Sequence, residues 1–389
     1  MSTHPTDSIR PRAITMWDFS WLERRWPGAG YEDWDLALDE LLERGYNAVR
    51  IDAYPHLACK DPEATYELIP VWSVHSWGAP MRCDVQVFPA LLEFMAKCRD
   101  RDIKVGLSSW YRRDTGDSWK ELFSASRHAE SWIRTLDLIR EAGLMDAVLY
   151  LDLCNEWPLN MWAPFFTGKD NNVAAVQGAA YTPGSGGVNW WDDRSLNWLR
   201  EATDLVRSAY PDLPITTSVH PGIPDASVLD FCDLLEPHVW MSGGDFYHRV
   251  GYTFQHKFDY SEYEEVAKNA ERIYRGDPDH WHGVLHGYID HVAQEARKTD
   301  KPLMTTECWG ITDYIDAPRL DWGWVKESCA EGTRYASETG TWCAIATSNF
   351  CGPQFHGMWR DIDWHQNMTS LIRNGTIEVS VPDTLKARM

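Results

Sequence analysis

Ala147-Val148-Leu149-Tyr150-Leu151-Asp152-Leu153-Cys154-Asn155-Glu156-Trp157 is an apolar run interrupted once, by Asp152, and ended by an amide and a carboxylate. A short run without polar alternation is the pattern of a strand covered on both faces, which is how strands of a parallel sheet read. Equivalent runs lie at 13–19, 47–51 and 104–110 before it, and at 215–219, 234–241, 303–307 and 341–347 after it. Helical patterns fill the intervals, beginning with 31–44, whose apolar positions are Leu36, Leu38, Leu41 and Leu42 and whose stop is Gly45. The others are 88–100, 128–141, 195–209, a short one at 227–231, 263–274, 283–297, 324–337 and 366–373. Eight strand–helix alternations predict an α/β fold, one parallel sheet closed into a (β/α)8 TIM barrel, with residues 1–389 forming a single domain. A doubly wound open sheet would need a glycine-rich phosphate turn after its first strand, and Trp17-Asp18-Phe19-Ser20-Trp21 contains no glycine.

The largest irregular piece is the long β4–α4 insertion at 158–194, with Gly184, Gly186, Gly187, Trp190 and Trp191. So long a loop inside a barrel reads as a lid or binding loop. The whole chain holds 22 Trp among 389 residues, several times ordinary usage. A core can be built from Leu and Ile, so the excess points to flat faces for stacking, and sugar rings are the commonest soluble partner for such faces.

Fifty-eight acidic against 37 basic side chains give a net charge of −21, which argues against nucleic acid or an anionic membrane as partner. No apolar run reaches membrane-spanning length, and the first ten residues are polar. Nine dispersed cysteines without a C-x-x-C pair read as reduced thiols, so a cytoplasmic location is expected. Oligomeric state leaves no mark in the sequence.

In a parallel barrel the carboxyl ends of the strands converge on one mouth. The fourth strand delivers Asn155-Glu156 there and the seventh, Met304-Thr305-Thr306-Glu307, a second carboxylate. Strands four and seven stand nearly opposite, so the two can face each other over one cleft. Facing carboxyl groups about 5–5.5 Å apart are what a retaining glycosidase requires, one as nucleophile and one as acid/base. Glu156 is assigned the acid/base role and Glu307 the nucleophile. Other strand-end groups are candidates for substrate binding: Asp18 between Trp17 and Trp21, Trp110 after the third strand, and Trp309 after the seventh. Asp52, Tyr54 and His56 follow the second strand and are expected to shape the pocket. His280, His282, His286 and His291 form the densest histidine group, but no third ligand at tetrahedral spacing accompanies His282 and His286, so no metal and no cofactor are expected.

With Asn155-Glu156 on the fourth strand and Glu307 on the seventh, the chain resembles the clan A, or four/seven, glycoside hydrolases, the cellulase-like barrels. The resemblance covers roughly residues 14–373. It implies that Arg50 holds the nucleophile ionised, that Asn155 binds the substrate's 2-hydroxyl, and that His238 is the sixth-strand histidine of those families. The chain also departs from them. The family's tyrosine two residues after that histidine is Trp240 here, so Tyr247 or Tyr288 supplies the hydroxyl or the site lacks it. Ser108-Ser109-Trp110 carries no histidine, and Ser348-Asn349-Phe350 lacks the platform tryptophan, with Trp342 and Trp359 nearest in sequence. A divergent member acting from a chain end of an oligosaccharide with a β-type bond is expected.

Two other classes compete. A metal-dependent sugar isomerase or epimerase could use Glu156, His238 and Glu307 as ligands, though it needs neither Asn155 nor so many tryptophans. A non-catalytic carbohydrate-binding barrel would have no reason to hold two like charges together.

Overall fold

Three of the buried strands end on an aspartate whose own side chain stops them. In the computed structural model, which describes residues 9–72, 74, 76–168, 191–220, 223, 225–243, 245–252, 260 and 263–389, strand β1 (Arg12–Asp18) closes with the Ser20 N–H donating to Asp18 Oδ1 at 2.6 Å. Strand β2 (Ala48–Asp52) closes with the Tyr54 N–H on Asp52 Oδ1 at 2.7 Å. After β3 (Lys104–Ser108), strand β4 (Val148–Asp152) repeats the device, with the Cys154 N–H on Asp152 Oδ1 at 3.2 Å. An aspartate that captures the N–H two residues on offers the backbone a turn in place of the next ladder bond. These turns end β1 one residue and β4 two before the apolar runs in the sequence end, while β2 runs one residue past its run; β3, which has no such turn, also stops two residues early.

The remaining strands are β5 (Ile215–Thr216, resuming as Ser218–Val219), β6 (Glu236–Pro237, then Val239–Trp240), β7 (Leu303–Thr305, then Cys308–Trp309) and β8 (Trp342–Ala346). Seven strands form one curled parallel sheet in the order β7-β8-β1-β2-β3-β4-β5, surrounded by helices. Short parallel pairings continue it through β6: Ser218 opposite Glu236, Leu235 bridged to Leu303, and Val239 opposite Cys308. The uninterrupted fifth to seventh strands expected from the sequence are therefore broken. Pro237, which has no N–H to donate, sits at the break in β6. His238 occupies that gap, and Thr306 and Glu307 occupy the gap in β7.

The barrel interior leaves no room for a side chain at Gly106, opposite Arg50 in the β2–β3 register, because a Cβ there would lie 2.3 Å from the Tyr150 ring. Helices pack outside. Ala125–Glu141, capped by Ser124, puts Trp132 against β4, where its indole N–H donates to the Leu153 carbonyl at 2.9 Å. Of two long helices, Pro278–Thr299 packs on β6 and β7 and Tyr263–Gly276 packs beside it; they are longer than their sequence patterns by seven residues and by two. One element had no sequence signal, an antiparallel pair of Tyr66–Leu68 with Cys83–Val85 inserted after β2.

Tryptophan is used mainly as filler. Trp17, Trp21, Trp132, Trp157, Trp281, Trp309, Trp324 and Trp342 are among the largest fully buried side chains. Among the described residues no helix is long and apolar enough to cross a membrane. The glycines and Trp190 singled out in the insertion lie outside the described residues.

Candidate active site

Asp152 does more than end β4. Its Oδ1 also accepts the Ser218 N–H at 3.0 Å, and its Oδ2 accepts the Ser108 and Ser218 hydroxyls at 2.7 and 3.0 Å and pairs with Arg50. The chain then turns so that the Asn155 N–H donates to the Ser109 carbonyl at 2.9 Å and the Glu156 N–H to Ser218 Oγ at 2.9 Å. Glu156 takes the left-handed conformation, φ 46°. A non-glycine residue there is strained and has to be held by its surroundings, here by β3 and β5.

The held conformation points Glu156 at its partners. Its Oε1 lies 3.0 Å from His238 Nδ1, and its Oε2 accepts the Trp162 indole N–H at 3.3 Å. Glu307 approaches the same imidazole, with Oε2 3.7 Å from His238 Nδ1. Ligand atoms of Glu156, His238 and Glu307 all lie within 4.8 Å of one another. The structure thus brings together the two carboxylates proposed from the fourth and seventh strands, with His238 between them. This is also the only group among the described residues spaced to share a single cation.

Arg50 organises the other side. It is completely buried and pairs with three carboxylates: Asp152, Glu307 at 3.5 Å from its Nη1, and Glu236 at 3.7 Å from its Nε. Burial alone would disfavour its charge, but Glu236 and Asp152, joined by Glu307, more than offset that and hold the guanidinium firmly protonated. Its Nη2 also donates to Asn155 Oδ1 at 2.8 Å, which leaves Nδ2 as the Asn155 group able to reach a ligand. The Trp110 ring lies beneath the guanidinium, 4.6 Å from centroid to Cζ, a cation–π contact. Glu307 feels these neighbours unequally. Burial pushes its carboxyl up to about 7, an effect opposed by His238 and Arg50 and reinforced by Glu156 and Glu236.

Beside Glu156 an aromatic wall runs from Trp162 to Trp72 (5.8 Å), Phe19 (6.2 Å from each) and Trp110 (6.0 Å from Phe19). Trp162 and Trp72 were not singled out from the sequence. Trp162 lies in the described start of the tryptophan-rich insertion, whose composition was the available signal.

Several candidates have other duties. Asp18 is spent on the Ser20 turn, and burial raises its carboxyl well above the usual range. Trp309 is a core residue: it is fully buried, its N–H donates to the Ala346 carbonyl at 2.9 Å, and it fits against Gly332, where a Cβ would stand 2.6 Å from it. Tyr247 is tied to the loop after β7. Its hydroxyl accepts the Thr312 and Asp313 N–H groups at 2.8 and 3.2 Å. Trp240 stands edge-on to His238, ring centroids 5.6 Å apart, and with Tyr288, His220 and His291 lines a neighbouring cavity of about 140 Å³. Trp342 and Trp359 are both buried, and Trp359 bonds Glu40 through its N–H at 2.6 Å.

The pocket-shaping trio braces the loops. Asp52 Oδ2 accepts the Trp110 N–H at 3.0 Å, Tyr54 donates to the Phe19 carbonyl at 3.1 Å, and His56 Nε2 meets the Arg112 carbonyl at 2.7 Å. Two of the histidine group pair among the outer helices instead, His286 with Glu331 at 2.7 Å and His282 with the Tyr274 hydroxyl at 2.8 Å, both half-buried.

A family model described as sugar-binding cellulase-like matches residues 14–373. A candidate glycoside hydrolase from Parabacteroides distasonis ATCC 8503 is 48% identical over 98% of this chain and 100% of its own, with a TM-score of 0.89. Two more distant structures share the fold: a family 5 mannosidase from Rhizomucor miehei (10% identity, 99% and 97% of the two chains, TM-score 0.52) and GH5_18 from Streptomyces cattleya in complex with GlcNAc (12%, 98% and 88%, 0.52). No curated protein matches.

Proposed function

The chain belongs to the sugar-binding cellulase-like family, glycoside hydrolases of clan A type with a TIM-barrel-like fold, and on that premise we propose that it cleaves a β-glycosidic bond of an oligosaccharide with retention. The observation that carries this is the spacing of Glu156 and Glu307, whose closest ligand atoms fall within 4.8 Å across His238. That separation suits direct attack by one carboxylate. An inverting pair stands about 6.5–9.5 Å apart to admit a water.

In the first step a Glu307 oxygen bonds to the anomeric carbon while the bond to the leaving oxygen breaks and Glu156 gives that oxygen its proton. In the second, Glu156 takes a proton from water, the water oxygen bonds to the anomeric carbon, and the Glu307 ester bond breaks. Arg50 faces the charge that Glu307 carries before the first step and regains after the second. Asn155 Nδ2 is placed for the 2-hydroxyl. A closed eight-stranded barrel, attack from a chain end beside the aromatic wall, and a cytoplasmic setting are parts of the same proposal.

The test is a panel of aryl β-glycosides (gluco, galacto, manno, xylo) and aryl α-arabinosides on the wild type, Glu307→Gln and Glu156→Gln. Glu307→Gln should abolish turnover of every substrate. Glu156→Gln should keep the first step for good leaving groups and be partly rescued by azide. Wild-type activity in both variants refutes the assignment.

One observation favours a second reading, a metal-dependent sugar isomerase: Glu156, His238 and Glu307 are close enough to share a cation. Glycosidase turnover that survives EDTA excludes it.

A further inference from the structure

We propose that Glu236 is a positioning residue for Glu307, acting through Arg50 and coupled to it by Thr306. This rests on the retaining reading above and adds a residue that never meets the sugar, because Glu236 is completely buried.

The Nη2 end of Arg50 is crowded by Asp152, Ser108, Asn155 and Ser218, all from β3, β4, β5 and the turn after β4. That crowd by itself would draw the guanidinium towards β4. On the opposite edge Arg50 Nη1 donates to Thr306 Oγ1 at 2.9 Å, and Glu236 Oε1 stands 3.7 Å from Nε. Thr306 has a single hydroxyl proton, and it goes to Glu236 Oε1 at 2.7 Å. The direction of the chain is therefore fixed: Arg50 gives to Thr306, and Thr306 gives to Glu236.

A planar cation hydrogen-bonded at Nη1 and Nη2, with a carboxylate facing Nε at 3.7 Å, cannot swivel. One Nη1 proton is committed to Thr306, and the other is left for Glu307, 3.5 Å away. Glu307 Oε1 has no hydrogen-bond partner of its own among the described residues, so its orientation depends on where Arg50 is held. Glu236 and Thr306 come from the same broken strands, β6 and β7, that carry His238 and Glu307. The clamp therefore shares its two strands with His238 and Glu307.

The experiment compares wild type, Glu236→Ala, Glu236→Gln and Thr306→Val. The substrate is a 4-nitrophenyl glycoside that the wild type turns over, beside its 2-deoxy-2-fluoro-glycosyl fluoride, which accumulates the ester on the nucleophile. Mass spectrometry counts the labelled fraction, so kcat is expressed per competent molecule and misfolded protein drops out. Glu236→Ala and Thr306→Val should lower kcat about tenfold or more with KM changed less than about threefold, because the loss is of alignment rather than of sugar contacts. Glu236→Gln, which still offers Thr306 an acceptor, should recover part of that loss. Wild-type kcat per labelled molecule in Thr306→Val overturns the proposal, also when Glu236→Ala does not fold. So does a parallel rise in KM. A wild type that carries no label on Glu307 refutes the retaining mechanism itself, a distinct outcome.

Discussion

The imidazole of His238 lies 3.0 Å from Glu156 Oε1 through Nδ1, and its Nε2 has no hydrogen-bond partner among the described residues. The ring therefore spends its one directed contact on Glu156, with Glu307 next nearest at 3.7 Å. Replacing it with alanine removes the group that orients Glu156 and separates two buried carboxylates. His238→Ala should lower kcat/KM by about 10- to 100-fold, more for aryl glycosides with poor leaving groups than for dinitrophenyl ones. A Brønsted series on both proteins checks it, and equal losses at both ends of the series would contradict it.

Trp162 offers a finer probe, since Phe keeps the ring and removes only the N–H that Glu156 Oε2 accepts at 3.3 Å. Trp162→Phe should cost about three- to tenfold in kcat/KM on poor leaving groups, about 1 kcal/mol for one lost hydrogen bond. Good leaving groups should be nearly unaffected, as read by initial rates at low substrate.

The pH dependence of stability has two opposed parts. Burial raises Asp52, Glu236 and Glu307 to about 7, above their unfolded values near ~4. The folded state then binds more protons between those limits, so this stabilisation is complete below about pH 4 and is lost as pH rises through 7. Burial lowers His56 and His128 to about 4 and His365 to about 3. Their contribution has the other sign: it is present above about pH 6.5 and is lost as pH falls through 4. Asp52→Asn removes one member of the first set. Its stability deficit against wild type should be larger at pH 5 than at pH 8, by a few kcal/mol at most, measured by urea unfolding at each pH. A deficit that grows with pH would mean the wrong sign.

Glu23 and Arg112 form a buried two-point pair, 2.7 Å at Nε and 3.0 Å at Nη2, beneath the aromatic wall. Glu23→Ala strands a guanidinium and also deprives the Ala79 N–H of its acceptor. The expected loss is about 3–5 kcal/mol in denaturant unfolding. Glu23→Leu combined with Arg112→Met should be less harmful than Glu23→Ala alone, because no charge is left unpaired.

The alternation of apolar runs with helical patterns was legible because strands covered on both faces and amphipathic helices leave opposite periodicities. Glu156, Glu307, Arg50 and His238 were legible because each ends or interrupts such a run. Asp152 was visible only as the interruption of its run and Glu236 was not singled out, since a carboxylate acting on a buried arginine has no local signature and depends on which strands become neighbours. Trp309 misled for the converse reason. Its position after the seventh strand matched a sugar platform, but the backbone turns it outward under the helix Gly323–Glu338, where Gly332 makes room. Tyr247 failed through chain geometry: its hydroxyl is taken by the loop at Thr312 and Asp313.

A single carboxylate, Asp152, joins four neighbouring strands by touching Arg50, Ser108, Cys154 and Ser218. Any replacement there disturbs the placement of Glu156 and the company kept by Arg50 in one stroke. Descendants of this scaffold are therefore free to change what they digest through the rim loops, while the floor beneath the reacting bond can tolerate almost no experiment.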